Sequence, residues 1–233
     1  RNARWVITCD HATNTVPDFV RDGDLGLAPE DMRRHIAYDI GAKGLAMQLG
    51  DLLDAPVIGA NFSRLVIDPN RGEDDPTLIM RLYDGSLIPG NRHIGPSDIA
   101  ARLEQCYRPY HDALTDLADR DGAVLVSIHS FTRQLKGRPR RPWDVGVLYA
   151  ADDRLARPFL SALADCHSMT VGDNEPYRGD LRGDAMDRHG LQPGRPHVLI
   201  EVCNDLIETE DAQARWAHTL APRLEQALEA ACV

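Results

Sequence analysis

The stretch AVLVSIHSF, residues 123–131, combines the features that predict both the fold and the site. Its first part, Ala123–Ile128, is a short apolar run of the kind found in strands buried on both faces of a parallel sheet. His129 and Ser130 follow at the carboxyl end of this strand. An imidazole in that place can be a hydrogen-bonded structural residue or a metal ligand, and this stretch alone leaves both interpretations open.

Predicted strands and helices alternate along the rest of the chain. Further strands are predicted at Arg4–Cys9, Pro56–Phe62, Leu65–Ile67, Asp144–Ala150 and Pro196–Val202. Helices are predicted from Asp31 to about Leu53, from an N-cap at Ser97 through Leu117 with a kink at Pro109, and over Asp153–Cys166. A last helix is predicted to carry Trp216, Leu220, Leu224, Leu228 and Ala231. This alternation predicts an α/β fold with a mostly parallel sheet covered by helices on both faces. Because no linker divides the chain, we expect residues 1–233 to form a single domain.

The composition is that of a globular protein of enzyme size. The 233 residues are 43% hydrophobic and 27% charged, and the formal net charge of −10 argues against nucleic-acid binding. No apolar run reaches the roughly 18–20 residues of a membrane span. Five widely spaced cysteines without a C-x-x-C motif predict a reducing compartment, the cytoplasm. Glycine-rich nucleotide motifs and the G-x-S-x-G motif are missing, which disfavours nucleotide-binding and serine-hydrolase functions.

Polar clusters follow four of the predicted strands: CDHATNTVP at 9–17, SRLVIDPNR at 63–71, SIHSF at 127–131 and IEVCND at 200–205. In a parallel sheet these strand ends share one edge, so the clusters are expected to converge. Two imidazoles at that edge, His11 and His129, favour a zinc site. Such a site needs a third protein ligand, and the candidates are Asp39 and Asn14. We prefer Asp39 because a carboxylate is the better ligand; we expect it on the first helix, one turn after His35.

Glu201 lies inside the apolar run VLIEV. A carboxylate in such a run is costly to bury without a partner, and burial raises its pKa towards neutrality. A general base beside a zinc-bound water is one use for such a group. The alternative is a glutamate on an edge strand that points to solvent.

Arg64, Asn70 and Arg71 flank the turn segment LVIDPN. Arginine presents a planar fork that suits a carboxylate, and asparagine adds an amide donor. These side chains would hold a small anionic substrate beside the metal. An ion pair between Asp68 and Arg71 within the turn is the structural alternative.

Six segments carry a resemblance to a known family: CDHATNTVP, HIAYDIGA, SRLVIDPNR, SIHSF, GDNEPY and PHVLIEVCNDLI. From about Arg4 to Ile207, the chain resembles the N-formylglutamate amidohydrolase family. That family is similar in fold to zinc carboxypeptidases, which implies a three-layer α/β/α sandwich around a mixed sheet. The resemblance also implies roles for single residues. His11 and His129 would be zinc ligands, Glu201 the general base, and Arg64 the group that polarises the scissile carbonyl. Asn70 and Arg71 would bind a substrate carboxylate, and Tyr177 would close over the substrate.

The resemblance implies a hydrolase with one zinc ion, or another divalent metal, acting on a small anionic N-acyl amino acid. The substrate would be N-formyl-L-glutamate, cleaved to formate and glutamate in histidine degradation. Carboxypeptidases have a glutamate at the position of Asn14, so the carboxylate ligand must come from elsewhere; Asp39 resembles the first-helix ligand of zinc-dependent peptidoglycan amidases. Two alternatives stay open: a zinc peptidase or peptidoglycan-type amidase with the same site, and a non-catalytic binding module that has lost the metal.

Overall fold

Within the described residues, the chain forms eight short strands. The computed structural model describes residues 4–166 and 168–231. The strands in chain order are β1 (Trp5–Cys9), β2 (Val57–Gly59), β3 (Leu82–Tyr83), β4 (Ser86–Leu87), β5 (Val124–Phe131), β6 (Val145–Leu148), β7 (Val171–Asp173) and β8 (His197–Cys203). Strands β3 and β4 form a separate antiparallel hairpin, and the other six form one sheet in the order β2-β1-β5-β8-β6-β7.

The sheet is mixed and mostly parallel, as predicted. Strands β2, β1, β5 and β8 run parallel to one another, β6 is antiparallel to β8, and β7 is parallel to β6. The register between β5 and β8 pairs His129 with Glu201. Because paired residues on neighbouring strands project from the same face, the register brings these two side chains to one side of the sheet.

Helices cover both faces of this sheet. They are α1 (Ala42–Leu52), α2 (Pro96–Arg102), α3 (Arg108–Ala118), α4 (Ala156–Ala164) and α5 (Glu210–Ala231). One buried cluster packs α1, α4 and α5 on the sheet through residues such as Leu45, Phe159 and Leu224. A second buried cluster on the other face contains Tyr107 and Leu114. This arrangement confirms the predicted three-layer α/β/α sandwich. Within the described residues, no helix combines the length and apolar character that crossing a membrane requires.

The helix predicted from Asp31 to Leu53 is wrong in its first half. Only a 3₁₀ turn at Asp31–Arg33 and helix α1 from Ala42 are helical. Between them the chain is extended at Arg34, with ψ 163°, and left-handed at Gly41, with φ +78° and ψ −16°. The backbone N–H of Asp39 donates to the carbonyl of His11 at 2.9 Å, so this segment bonds to the end of β1 instead of to its own preceding turn.

Three other predictions need correction. The apolar run Leu65–Ile67 is not a strand but a buried turn, which an apolar run alone cannot distinguish from a short strand. Strand β5 runs through His129 to Phe131, so the histidine lies within the strand and not after it. Helix α2 begins at Pro96 with Gly95 as its N-cap, not Ser97.

The predicted kink at Pro109 takes the form of a wide turn. A π-helical segment at Leu103–Tyr107 joins α2 to α3 directly before the proline. Proline has no N–H to donate to the carbonyl four residues back, so a widened turn at this point follows from its chemistry. The other predicted boundaries differ from the observed ones by a few residues, as is usual for element ends.

Candidate active site

A cavity of about 350 Å³ opens where β1, β5 and β8 end. It is lined by all the preferred site residues of the sequence analysis: His11, Asp39, Arg64, Asn70, Arg71, His129, Tyr177 and Glu201. Asn14 does not line this cavity; its amide donates to the carbonyl of Met32 at 2.7 Å. The strand-end clusters therefore converge as the parallel sheet predicts.

Three side chains form a compact group of metal-type donors. The Oδ2 atom of Asp39 lies 3.2 Å from Nδ1 of His11 and 2.8 Å from Nδ1 of His129. One ligand atom from each residue lies within 4.8 Å of the other two, and all three residues are buried. Two imidazole nitrogens and one carboxylate oxygen, with open space on the cavity side, match the three-ligand sets of catalytic zinc sites.

Asp39 reaches this group from a loop and not from a helix. Its backbone N–H is bonded to the His11 carbonyl, and its Oδ2 accepts the backbone N–H of Ser130 at 3.2 Å. Gly41 then turns the chain into α1 in the left-handed region. A Cβ at Gly41 would stand 2.1 Å from the carbonyl oxygen of Ile207, so only glycine fits this close approach.

Each histidine of the group has a buried carboxylate on its other nitrogen. Nε2 of His11 lies 2.7 Å from Oδ1 of Asp68, and Nε2 of His129 lies 3.0 Å from Oδ2 of Asp10. Asp10 in turn accepts the hydroxyl of Tyr110. A carboxylate on the distal nitrogen fixes the tautomer and the ring orientation of a metal-binding histidine. This pattern leaves Nδ1 of both rings for a cation.

The orienting role of Asp10 and Asp68 was not predicted from the sequence. The usable signal was chemical: since a metal-binding histidine almost always donates to a carboxylate or carbonyl, two histidines call for two such partners. Asp10 and Asp68 are acidic residues of the strand-end clusters themselves. Asp184 also lines the cavity and was missed, because no motif surrounds it.

The charge balance of the buried group fits a divalent cation. With neutral imidazoles, the carboxylates of Asp10, Asp39 and Asp68 and the guanidinium of Arg64 leave two uncompensated negative charges. Burial raises the pKa of Asp39, but the two bound histidines outweigh burial and hold that pKa well below its ordinary value. Burial lowers the pKa of His129, but its bonds to Asp10 and Asp39 raise it well above its ordinary value. The group thus favours positive charge at its centre, where a metal ion competes with protons.

Glu201 lies on β8 in the middle of the sheet and is 7% exposed. The alternative of an edge-strand glutamate that points to solvent is therefore wrong. Its buried Oε2 has no hydrogen-bond partner within the described chain. Burial raises its pKa to about 7, opposed by His129 and reinforced by Asp39. A carboxylate with a pKa near neutrality is suited to accept and return a proton.

The three residues around the LVIDPN turn differ in how far their donors are already used. Arg64 donates to Oδ2 of Asp68 from Nε at 3.1 Å and Nη2 at 2.8 Å, and to Asp39 from Nη1 at 3.4 Å. Asp68 therefore pairs with Arg64 and not with Arg71. Arg71 makes one bond, from Nη1 to the carbonyl of Asn70 at 3.0 Å, and no ion pair with a described carboxylate. The side-chain oxygen of Asn70 accepts the N–H of Ala185 at 3.2 Å, while its amide nitrogen has no partner in residues 4–166 and 168–231.

The sequence matches a family model described as N-formylglutamate amidohydrolase over residues 3–208. It is also 36% identical over 241 residues to an N-formylglutamate deformylase of Pseudomonas putida, with 93% of this chain and 83% of that protein covered. This chain belongs to the N-formylglutamate amidohydrolase family.

Solved structures related to this member of the N-formylglutamate amidohydrolase family share its fold. A gene product of Agrobacterium tumefaciens is 34% identical with a TM-score of 0.90, covering 97% of this chain and 90% of that one. An N-formylglutamate amidohydrolase from Ralstonia eutropha has a TM-score of 0.72 at 22% identity, with coverage of 97% and 93%. The second likeness concerns the fold alone.

The expected placement of His35 one helical turn before Asp39 is corrected by the structure of this family member. Among the described residues, His35 forms no hydrogen bond or ion pair with Asp39; its Nε2 lies 3.4 Å from Oδ2 of Asp84 in the turn of the β3–β4 hairpin. Tyr177 stands at the mouth of the cavity, 39% exposed, where its hydroxyl accepts a bond from Arg141 at 3.0 Å. The Arg141 guanidinium also stacks over the Tyr177 ring at 4.8 Å, so the tyrosine is held by a second loop.

Proposed function

We propose that this chain is a zinc-dependent amidohydrolase that cleaves N-formyl-L-glutamate to formate and glutamate. The observation that carries the proposal is the convergence in one cavity of three donors, a carboxylate with a pKa of about 7, and an arginine without an acidic partner in the described part of the chain. The family and the name of the Pseudomonas relative support the choice of substrate. Since Asp39 supplies a carboxylate in the donor group, Asn14 no longer argues for a module without metal.

His11, Asp39 and His129 would hold the zinc ion through Nδ1, Oδ2 and Nδ1. When bound, zinc would supply Lewis acidity and lower the pKa of a water molecule towards neutrality. Asp68 and Asp10 would keep both rings in the tautomer that leaves Nδ1 free to bind. Glu201 would take the proton from the attacking water through its unbonded Oε2 and return it to the leaving amine nitrogen.

Asn70 and Arg71 would hold a carboxylate of the substrate. Among the described residues, the guanidinium of Arg71 has no acidic partner and the amide N–H₂ of Asn70 makes no hydrogen bond, so both keep donors for a ligand. Arg64 has part of its donor set left after its bonds to Asp68 and Asp39, and this part would polarise the formyl oxygen. Tyr177 at the mouth would close over the bound substrate.

The wider setting follows from the same proposal. The resemblance supports a role for the reaction in histidine degradation, and a single domain over residues 1–233 is supported by one sheet that serves both buried clusters. A cytoplasmic location is supported by the described cysteines Cys9, Cys106, Cys166 and Cys203, which are unbridged; Cys232 lies outside the described residues.

Formate release from N-formyl-L-glutamate by zinc-loaded protein tests the proposal, beside N-acetyl-L-glutamate and a peptide with a C-terminal glutamate. We expect turnover of the formyl substrate, loss on chelation and recovery on adding zinc. Glu201→Gln should lower the rate by at least about 100-fold with zinc still bound, because a general base contributes about 10²–10⁴-fold. The control Glu208→Gln changes an exposed glutamate and should match the wild type.

Each failure of this experiment has a separate meaning. Equal rates for Glu201→Gln and the wild type would remove Glu201 from the role of base. Turnover of only the acetyl or peptide substrate would overturn the assignment of N-formyl-L-glutamate as the substrate. A protein that binds no zinc would overturn the proposed metal site.

A further inference from the structure

A second cavity, of about 250 Å³, lies between the segment at Phe19–Arg21, the 3₁₀ turn Pro89–Asn91 and helix α2. It shares no lining residue with the active-site cavity. The charged side chains on its wall are those of Arg21, Arg102 and Asp98, and nothing in the proposed reaction uses them.

Arg102 is the unusual member, since it is 3% exposed and has no carboxylate within 4.0 Å in the described chain. Its Nη1 donates to the carbonyl of Val66 and to Oδ1 of Asn91, both at 2.7 Å. Nε and Nη2 make no hydrogen bond to any described residue, and the side chain lines the cavity. A buried guanidinium without a counter-ion is costly, so donors that face a cavity call for an anion.

Arg21 brings a second positive charge to the same space. Its side chain lies against Gly90, where a Cβ would stand 3.1 Å from Arg21 Cδ. The guanidinium has no ion pair or hydrogen bond with the described residues. Asp98, the acidic residue on the wall, uses Oδ2 to accept the N–H of Gly95 at 3.0 Å and lies more than 4.0 Å from either guanidinium. Burial and the charge of Arg21 lower the pKa of Arg102, opposed by Asp98.

We propose that this cavity binds a small oxyanion, a carboxylate or a phosphate, between the guanidinium groups of Arg102 and Arg21. A planar arginine fork binds both kinds of anion with paired hydrogen bonds. Phe19, Pro89 and Ile94 line the remaining wall, which leaves room for a short apolar part of the ligand. The anion supplies the acceptors that Nε and Nη2 of Arg102 lack and offsets the excess positive charge.

The cavity lies directly behind the segment that carries the active-site arginine. Arg102 donates a hydrogen bond to the carbonyl of Val66, and the side-chain amide of Asn91 donates to the carbonyl of Leu65 at 2.7 Å. These contacts give Arg102 a structural role as well, so substituting it risks the fold. Arg21 makes no such contact and is the better residue to change.

Isothermal titration of zinc-loaded protein with inorganic phosphate and, separately, with butyrate tests the proposal at constant ionic strength. We expect saturable binding of at least one anion, and the anion that binds identifies the head group. Arg21→Ala should weaken this binding by about tenfold or more, since a charge-assisted hydrogen bond contributes about 1.5–3 kcal/mol, and about 1.4 kcal/mol is a factor of ten. Arg92→Ala removes the same charge from an exposed arginine outside the cavity and should bind like the wild type.

Arg71→Ala serves as the active-site control, because anions can also bind beside the metal. Unchanged affinity in this variant, with loss in Arg21→Ala, supports the second site. The proposal is overturned if neither anion binds saturably, if Arg21→Ala binds like the wild type, or if Arg71→Ala abolishes the binding.

Discussion

The exchange Asp68→Asn tests whether the carboxylates behind the histidines control metal binding. Asp68 Oδ1 lies 2.7 Å from Nε2 of His11, and Oδ2 accepts both Nε and Nη2 of Arg64. Asparagine has the same size and keeps a carbonyl oxygen that can accept the His11 proton. The exchange therefore removes the negative charge and keeps the acceptor for His11, but it loses the acceptor for Arg64, because an amide nitrogen replaces Oδ2.

The expected loss follows from the charge balance. The wild-type group holds two uncompensated negative charges with neutral imidazoles, and Asp68→Asn leaves one, so a divalent ion would be left with an excess positive charge in a buried place. Replacing an outer-shell partner of a metal-binding histidine typically costs about 10–100-fold in affinity. At about 1.4 kcal/mol per factor of ten, this is about 1.4–2.8 kcal/mol of zinc-binding free energy.

Competition between the protein and a chromophoric chelator measures the zinc affinity at a fixed pH. Circular dichroism of the metal-free proteins checks that Asp68→Asn is folded. Asp74→Asn provides the matched control, because Asp74 is an exposed aspartate of the following loop and should leave the affinity unchanged. A folded Asp68→Asn variant with wild-type zinc affinity would refute the charge argument.

Three further exchanges test other parts of the structure. Arg71→Ala should raise KM for N-formyl-L-glutamate by about 10–100-fold in steady-state kinetics, because a charged hydrogen bond contributes about 1.5–3 kcal/mol. The exchange of exposed Arg81 to alanine should leave KM unchanged. Equal KM values for Arg71→Ala and the wild type would contradict the role of Arg71 in binding the substrate carboxylate. Gly41→Ala should lower the free energy of unfolding in urea by more than Gly122→Ala does. Gly122 has a similar positive φ of +70° but open space around it, so its exchange should cost only about 1–2 kcal/mol. Equal losses would show that Ile207 moves aside to accommodate the added Cβ. Burial raises the pKa of Asp184 to about 7, so the unfolded chain releases this proton at a lower pH than the folded chain does. The free energy of unfolding of the wild type should therefore fall by at most about 4 kcal/mol as the pH rises from about 4 to 7, and Asp184→Asn should remove this fall. Urea unfolding between about pH 5 and 8 measures it, and parallel stability curves of the two proteins would contradict this.

The sheet could be predicted because its strands are local apolar runs. Ala123–Ile128 and Pro196–Val202 have near-continuous apolar character, and both lie in the centre of the sheet as β5 and β8. The turn at Leu65–Ile67 has the same local signal and was wrongly predicted as a strand. Its apolar side chains belong to the same buried cluster as Leu114 of α3, which is distant in sequence, so no local pattern separates the turn from a strand.

The residues of the site could be predicted from chemistry more readily than their contacts. His11, His129 and Glu201 were found because each is polar at or within an apolar run. The partner of Asp68 was not predictable, because Arg64 and Arg71 are both within reach of it along the chain. Side-chain direction decided the pair, and a spacing of four residues carries no such direction outside a helix.

Asp39 lies in the donor group, although the helix predicted to carry it is not present there. The choice between Asp39 and Asn14 rested on ligand chemistry, which does not depend on whether Asp39 lies on a helix. In the structure its position depends on the His11 carbonyl, the Ser130 N–H and the turn at Gly41. A helical aspartate would be held by its own helix, whereas this one is held by two strand ends and by a glycine that touches Ile207. The geometry of the donor group is therefore tied to the segment that follows β8, and a change that moves Ile207 should disturb Asp39 before it disturbs either histidine.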